Sequence, residues 1–323
     1  MSTLWSTARL RLRMRILRYF LWRVGAAVPT LLAIVTIAFF MVRAAPGGPF
    51  DQERALPRDV VARLEAAYGL DQPVVVQYAR YLRALAHGDF GPSLKYRDFS
   101  VSELIAQGLP VSFALGGLAL VFALACGVGL GVWAALREDS LPDRASIVVA
   151  VLGVAVPAFV LLPLLDLLFG IHWHWLPVAG WEPDSPRHLV LPALALGLPP
   201  LSIVARLTRT SLQEVLASPY VRTARAKGLP LGLVLRRHAL RPALLPVAGY
   251  LAPAAAAVMS GSLVVESIAG LPGIGRHLVQ GALNRDYTLV LGMVIVYSAL
   301  LIGMGLLVDL CHAWLDPRVR RAA

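Results

Sequence analysis

Long apolar runs constrain this sequence more than any other feature, because several of them reach the roughly 20 residues that a helix needs to cross a bilayer. Hydrophobic residues make up 58% of the 323-residue chain, and its mean hydropathy is +0.68. The runs are continuous, whereas the strands of a transmembrane barrel alternate apolar and polar residues over ~10 positions. We therefore predict an all-α, polytopic membrane protein.

The apolar runs define six predicted membrane spans. They cover residues 20–42, 109–136, 147–170, 189–207, 244–269 and 289–315. Prolines lie inside several of them, and membrane helices tolerate proline where neighbouring groups satisfy the freed carbonyls. We expect a bundle that contains kinked helices.

The distribution of basic residues predicts the orientation. With the N-terminus inside, the inside segments hold 19 of the 30 Lys and Arg residues, and the outside segments balance 11 basic residues with 11 acidic ones. This asymmetry follows the positive-inside rule and places both termini in the cytoplasm. It also accounts for the net charge of +11 without a nucleic-acid partner.

The spans divide the chain into four parts. A basic cytoplasmic N-terminus covers 1–19, the first span covers 20–43 as a retained signal anchor, and an extracytoplasmic segment covers 44–108. The remainder, 109–323, holds the other spans and a cytoplasmic loop at 208–243. Two stretches of the extracytoplasmic segment, "LPRDVVARLEAAYGL" and "VVVQYARYLRALAHGDFG", predict short helices, which form either a packed cap or a docking surface for a partner.

The stretch "ASPYVRTARAKGLP" in the cytoplasmic loop predicts a short helix with defined ends. Ser218 suits the N-cap, and Pro219 suits the first helical position. Gly228 suits the left-handed residue after a helix, and Pro230 prevents the helix from resuming. We therefore predict a helix over 219–227.

The predicted helix has one side on which a small residue stands between larger ones. The i, i+3, i+4, i+7 spacing places four residues there: Tyr220, Thr223, Ala224 and Lys227. Arg222 and Arg225 point elsewhere. The small Ala224 suggests that another surface approaches closely, as when a helix lies in a partner's groove. The alternative is a helix that rests on lipid headgroups, with its arginines bound to anionic lipid.

The sequence "EVLASPYVRTARAKGL" resembles the cytoplasmic EAA motif in the permease subunits of binding-protein-dependent ABC importers. Ala224 and Gly228 match the A-x-x-x-G element of that motif. Arg222 stands where the general motif has Glu, a departure that is common in the peptide and nickel branch of the family. It prevents transfer of any role assigned to that Glu.

The resemblance runs nearly from end to end. "PTLLAIVTIAFFMVRAAPGGPF", "VVESIAGLPGIGRHLVQGALNRDYTLV" and "LDPRVR" also match the family, and "HGDFGPS" with "GALNRDY" is most similar to B subunits of the oligopeptide branch. The resemblance implies a type I ABC importer permease in a bacterial inner membrane. It would work with a second homologous permease, two cytoplasmic ATPase subunits and an extracytoplasmic peptide-binding protein.

The resemblance also implies that the cytoplasmic helix couples this chain to an ATPase subunit. The residues implied are Glu214, Ser218, Pro219, Tyr220, Arg222, Thr223, Ala224, Arg225, Ala226, Lys227 and Gly228. No cofactor is expected in this chain, since ATP and Mg would lie on the ATPase subunits. The chain itself contains no G-x-x-x-x-G-K-[ST] motif.

Polar residues inside the spans are further candidates. Asp166 and Glu266 are candidates for the gate or the translocation path, with structural pairing as the alternative. His172 and His174 form an H-x-H that could bind nickel or zinc. They lie among tryptophans typical of an interfacial aromatic belt, so we predict no metal site.

Other functions remain open at this point. Within the family, the alternatives are a dipeptide or a nickel permease. Outside it, the alternatives are an ion-driven secondary transporter and an intramembrane enzyme. The sequence lacks H-E-x-x-H, G-x-S-x-G and paired intramembrane aspartate motifs, so we predict that the chain is not an enzyme.

Overall fold

The computed structural model describes the chain from 2 to 45 and from 57 to 315. Within the second range the exceptions are 97, 139, 142–143, 145–147, 149–152, 154 and 184. Side chains are described between 22 and 307, apart from residue 58 and these same positions.

The described residues form helices joined by turns and short loops, and none of them forms a strand, which confirms the predicted all-α class. The α-helices are α1 Ser2–Ala44, α2 Arg58–Tyr68, α3 Val74–Ala86, α4 Val101–Leu136, α5 Ala158–Leu165, α6 Val190–Leu216, α7 Pro219–Ala226, α8 Leu245–Ala269, α9 Ile274–Leu283 and α10 Tyr287–Leu315. The π-helix Asp166–His172 continues α5, and short helical turns occupy 231–243.

Five helical segments among the described residues are long and apolar enough to cross a membrane. They are Trp22–Ala44, Val101–Leu136, Pro186–Leu216, Leu245–Ala269 and Tyr287–Leu307. The shorter apolar stretch Ala158–His172 corresponds to the second half of the predicted third span. Most of the first half of that span lies outside the described residues.

Two spans are longer than hydropathy predicts. The α4 helix begins at Val101 rather than at 109, because Ser100 and Glu103 form a capping box. The Glu103 amide donates to Ser100 Oγ at 3.2 Å, and the Ser100 amide donates to Glu103 Oε2 at 2.8 Å. The α6 helix continues past 207 to Leu216, so the membrane helix extends into the predicted cytoplasmic loop.

The α4 and α6 helices pack so closely that their backbones nearly touch. Small buried residues recur every fourth position along α4, at Ala119, Ala123, Gly127 and Gly131. A Cβ atom on Gly131 would lie 2.6 Å from the carbonyl oxygen of Ala205 on α6. Stripes of small residues permit such close helix contacts in membranes.

The α2 and α3 helices confirm the two short helices predicted in the extracytoplasmic segment. The α3 helix rests on the end of α1, where the Phe39 ring lies 5.1 Å from the Tyr78 ring, measured between centroids. The hydroxyls of Thr36 and Tyr78 lie 2.6 Å apart. The Phe39 side chain is fully buried and also packs against Leu291 of α10. The segment is therefore attached to both α1 and α10.

The contact between α4 and α6 predicts that Gly131→Leu destabilises the protein. The added side chain must push the helices apart, and overpacking of this kind costs about 1–3 kcal/mol. Thermal unfolding in detergent measures the effect. Gly129→Leu is the matched control, because Gly129 lies on the exposed side of α4 with nothing within 4 Å of an added Cβ. Equal melting temperatures for the two variants would contradict the packing argument.

Candidate functional site

The predicted coupling helix is joined to a membrane span by only two residues. The α6 helix ends at Leu216 and α7 begins at Pro219. Both connecting amides bond back to α6, with Ala217 donating to the Gln213 carbonyl and Ser218 donating to the Val215 carbonyl, each at 3.1 Å. A connection this short and this fully bonded leaves α7 little freedom to move independently of α6.

The structure confirms the predicted position of α7 and changes one detail of its start. Ser218 takes the extended N-cap conformation, and Pro219 is the first helical residue. The Ser218 hydroxyl, however, makes no capping bond to α7. It donates to the Val215 carbonyl at 2.5 Å and so ties the junction to α6.

The C-terminal end of α7 depends on a backbone conformation that favours glycine. The helix ends at Ala226, with Lys227 as its C-cap, one residue earlier than predicted. Gly228 has φ of +78°, in the left-handed region, and its amide donates to the Arg225 carbonyl at 2.9 Å. No atom lies within 4 Å of a Cβ at this position, so the backbone angle, not lack of space, favours glycine.

The prediction that Ala224 faces a partner is wrong. Ala224 is buried together with Val221 and Val234, and the cluster also contacts Leu216 and Leu229. Val221 and Ala224 are three residues apart, so they share one helix face, and the fully buried Val221 turns that face toward the chain itself. The small alanine allows α7 to lie close to its own loop rather than close to a partner.

The exposed side of α7 is basic. It presents Tyr220, Arg222, Thr223, Arg225, Ala226 and Lys227. Tyr220 is held in place because its hydroxyl donates to the His238 carbonyl at 3.3 Å. Glu214, on the last turns of α6, is also exposed. No acidic residue on α7 balances the three basic side chains. The surface is therefore complementary to an acidic groove.

Glu266 forms a second polar site, at the end of α8. Its side chain is fully buried, and Oε2 accepts from the Gly275 amide of α9 at 2.8 Å. The other oxygen, Oε1, has no hydrogen-bond partner among the described residues. Glu266 therefore joins the end of α8 to the start of α9.

Gly273 in that turn has no Cβ and so leaves room for the close approach of Glu266. A Cβ on Gly273 would lie 2.1 Å from Glu266 Oε2 and 2.6 Å from Ser112 Oγ. The Ser112 hydroxyl accepts from the amide of Ile274 at 3.0 Å. The "GLPGIG" turn thus wraps around a buried carboxylate, an arrangement that the sequence pattern alone did not reveal.

A cavity of about 120 Å³ lies beside this site, between α4, α8 and α10. Its polar lining comes from Ser112, Ser262 and Tyr297, and the rest is apolar, including Phe113 and Met259. Hydroxyl groups without a charge can bond a polar solute without fixing its identity.

Asp166 lies apart from the bonds that hold Glu266. It is buried at the first position of the π-helix, and its Oδ1 atom has no hydrogen-bond partner among the described residues. No hydrogen bond joins it to Glu266. A π-helical turn is frequent at functional sites, so Asp166 stays a candidate.

Asp286 is a connecting residue that the sequence analysis missed. It is fully buried and accepts hydrogen bonds from the Ser93 hydroxyl, from the Lys95 amide at 3.2 Å and from the Leu289 amide at 3.1 Å. It therefore ties the segment predicted to be extracytoplasmic to the start of α10. An Asp directly before an apolar run is an N-cap pattern that could have identified it.

The H-x-H stretch is surrounded by aromatic rings. The Trp173 and Trp175 ring centroids lie 4.6 Å apart, and Trp173 also packs edge-to-face on Phe169 at 5.2 Å. Among the described residues no group of three or more His, Cys, Asp or Glu side chains could hold a metal ion. This arrangement is typical of an interfacial aromatic belt.

Comparison with known families gives one match to the C-terminal part of the chain and one to the N-terminal part. Residues 127–321 match the family described as "Binding-protein-dependent transport system inner membrane component". The chain belongs to this family of transport components. Residues 16–115 match "Binding-prot-dependent transport system membrane comp, N-term". The description of this family names a transport system and places its component in the inner membrane.

Individual relatives of this transport component match along nearly their whole length. "Oligopeptide transport system permease protein OppB" of Escherichia coli (strain K12) is 49% identical over 304 residues, covering 94% of this chain and 99% of the relative. The protein of the same name in Haemophilus influenzae is 46% identical with the same coverage. "Dipeptide transport system permease protein DppB" of Bacillus subtilis (strain 168) is 43% identical, covering 94% and 98%.

Because Ala224 lies on the buried face of α7, we predict that Ala224→Arg releases the helix from the cluster around Val221 and Val234. A buried, unpaired charge costs several kcal/mol, which the small cluster around Val221 cannot offset. Limited trypsin digestion of the purified protein measures release of α7. Ala226→Arg is the matched control, because Ala226 is exposed on the same helix and the new charge stays in solvent. Equal cleavage rates in the two variants would show that Ala224 is not buried.

The buried carboxylate predicts that Glu266→Ala lowers stability more than Glu266→Gln does. Alanine leaves the Gly275 amide and its neighbours without an acceptor, at a cost of about 1–3 kcal/mol. Glutamine keeps one carbonyl oxygen in the same place. Thermal unfolding in detergent compares the two variants, and a glutamine variant as unstable as the alanine variant would exclude the proposed bonding.

Proposed function

We propose that this chain is the permease subunit that forms the translocation path of an ATP-driven importer for oligopeptides. The observation that carries the proposal is the exposed basic surface of α7, fixed at the end of a membrane span. Family membership and the OppB relatives support the transport role and the substrate class. The orientation proposed has both termini and α7 in the cytoplasm, because the excess of Lys and Arg lies on that side.

The proposed assembly contains four kinds of subunit. A second homologous permease completes the path, and two cytoplasmic ATPase subunits bind ATP and Mg. An extracytoplasmic peptide-binding protein delivers the substrate. The segment that contains α2 and α3 is the proposed docking surface for that protein, since Asp286 and Phe39 attach it to the start of α10 and the end of α1.

In the proposed mechanism, α7 transmits the movement of an ATPase subunit to the membrane spans. ATP binding favours the closed ATPase pair and so shifts the equilibrium between inward-open and outward-open states. The two-residue joint passes the displacement of α7 to α6, and the close α4–α6 contact carries α4 with it. Rigid-body movement of this kind is a general route to alternating access.

The proposed path for the peptide is the space beside Ser112, Ser262 and Tyr297. Hydroxyl groups can bond peptide amides and carbonyls irrespective of side-chain identity, so the path would tolerate many sequences. Glu266 would shape its outer end through the α8–α9 turn, and Asp166 is a second proposed polar group of the path. Selection among peptides would then fall mainly to the binding protein.

A charge-reversal experiment tests the proposed docking. The double variant Arg222→Glu/Arg225→Glu should lose most association with the ATPase subunits, because it places two carboxylates against a surface that matched two cations. Co-purification of the subunits and uptake of a labelled oligopeptide measure the result. Arg137→Glu is the control, since Arg137 is exposed and lies on the same proposed side of the membrane. Full association and uptake in the double variant would refute the docking role of α7.

The DppB relative makes a dipeptide permease the second candidate. Uptake in the same cells distinguishes the two. An oligopeptide importer should transport peptides of four or more residues when the cognate binding protein is present, and a strict dipeptide importer should not.

A further inference from the structure

A cavity that transport does not explain lies at the C-terminal end of α1. It measures about 160 Å³ and is bounded by α3, by residues 90–94 and by the start of α10. Its polar lining includes Arg43, Tyr68, Gln77, Arg80, Tyr81 and Tyr287. None of these residues belongs to α7, to the Glu266 site or to the cavity beside Tyr297.

Arg43 brings a half-buried positive charge to this cavity. Its Nε atom donates to Gln77 Oε1 at 3.0 Å, and its guanidinium carbon lies 3.5 Å from the centroid of the Phe39 ring. The Nη1 atom is buried, and no described residue accepts its hydrogen bond. No carboxylate of a described residue forms an ion pair with Arg43. Since a guanidinium keeps its charge and a buried charge is costly without a partner, this position favours an anion.

Tyr81 supplies a second free donor at the same cavity. Its hydroxyl is buried and has no hydrogen-bond partner among the described residues. Burial raises the pKa of Tyr81, so the phenol keeps its proton and can donate it in a hydrogen bond. The Phe39 ring packs against both groups, with its centroid 5.7 Å from that of Tyr81. Two unpaired donors therefore lie around one aromatic ring.

The level of the cavity relative to the membrane indicates where the anion comes from. Arg43 is the penultimate residue of the span Trp22–Ala44, which places it at the level of the lipid headgroups. Arg and Tyr are typical of that level. Next to Phe39, the α1 side chain Phe40 is 42% exposed and packs against Tyr78, which leaves an apolar surface for acyl chains.

We propose that this cavity binds the phosphate group of a phospholipid. Arg43 Nη1 and Tyr81 Oη donate to the phosphate oxygens, and the acyl chains lie along the exposed side of α1. The bound lipid fills the space between α1 and the extracytoplasmic helix α3. This site lies in the segment proposed to dock the binding protein, but it involves no residue of the coupling helix or of the peptide path.

Native mass spectrometry of the full-length protein, purified with its partner subunits, tests the proposal by titration with phosphatidylglycerol. Tyr81→Phe should weaken lipid binding roughly tenfold, the value of one charge-assisted hydrogen bond. Arg43→Gln should weaken it further. Tyr78→Phe and Arg63→Gln are the matched controls, since neither residue lines the cavity, and both should bind as the unaltered protein does.

A stability measurement separates lost binding from misfolding. In lipid-free detergent Tyr81→Phe should leave the melting temperature unchanged, because the hydroxyl has no partner to lose. Added phosphatidylglycerol should raise the melting temperature of the unaltered protein more than that of the variant.

Two further ligands identify the source of the anion. Diacylglycerol, which lacks the phosphate, should bind weakly and be indifferent to both substitutions, and inorganic phosphate should compete only weakly. Three results would overturn the proposal: unchanged phosphatidylglycerol binding in both cavity variants, inorganic phosphate binding as tightly as the lipid, or stronger lipid binding after Asp51→Asn or Glu53→Gln. The last would show that a carboxylate of the chain occupies the cavity.

Discussion

The close contact of α4 with α6 is the constraint on which the rest of the structure depends. Without a hydrophobic driving force between helices in lipid, association depends on tight packing, and only small residues permit it. Gly127, Gly131 and Gly197 each stand where a Cβ would meet the backbone of the facing helix. Because α6 is held in this way and leads into α7 after two residues, α4, α6 and α7 form one mechanical unit.

The sequence predicted the elements of this unit well, because their signals are local. Span positions follow from continuous apolar runs, and the ends of α7 follow from Ser218, Pro219 and Gly228, each of which has a specific backbone preference. The early start of α4 was missed although the Ser100–Glu103 capping box is visible in the sequence. Hydropathy alone defines where a helix is apolar, not where it begins.

The predictions failed where the answer depends on tertiary contacts. In a helix of eight residues, spacing shows which residues share a face but not which face the chain covers, and so Ala224 was assigned to the wrong surface. Only the cluster with Val221 and Val234 decides it. Likewise Glu266 was recognised as a buried acid, but the Gly275 amide that bonds it lies in α9, and the nearby Ser112 comes from α4, which is distant in sequence.

The two ends of the molecule follow different chemistry. On the side proposed to be extracytoplasmic, buried acids hold helix termini and turns together, as Glu266 and Asp286 do. On the side proposed to be cytoplasmic, the exposed charges of α7 are basic and unpaired within the helix. The first arrangement suits a fixed framework, and the second suits a surface that binds another protein.

The stiffness of the α6–α7 joint is tested most directly by inserting Gly-Gly-Ser between Ala217 and Ser218. ATP hydrolysis and peptide uptake are then measured on the same assembled transporter. The account predicts that the ATPase subunits still bind and hydrolyse ATP while uptake falls to background. Uptake at the normal rate with the flexible joint in place would contradict it.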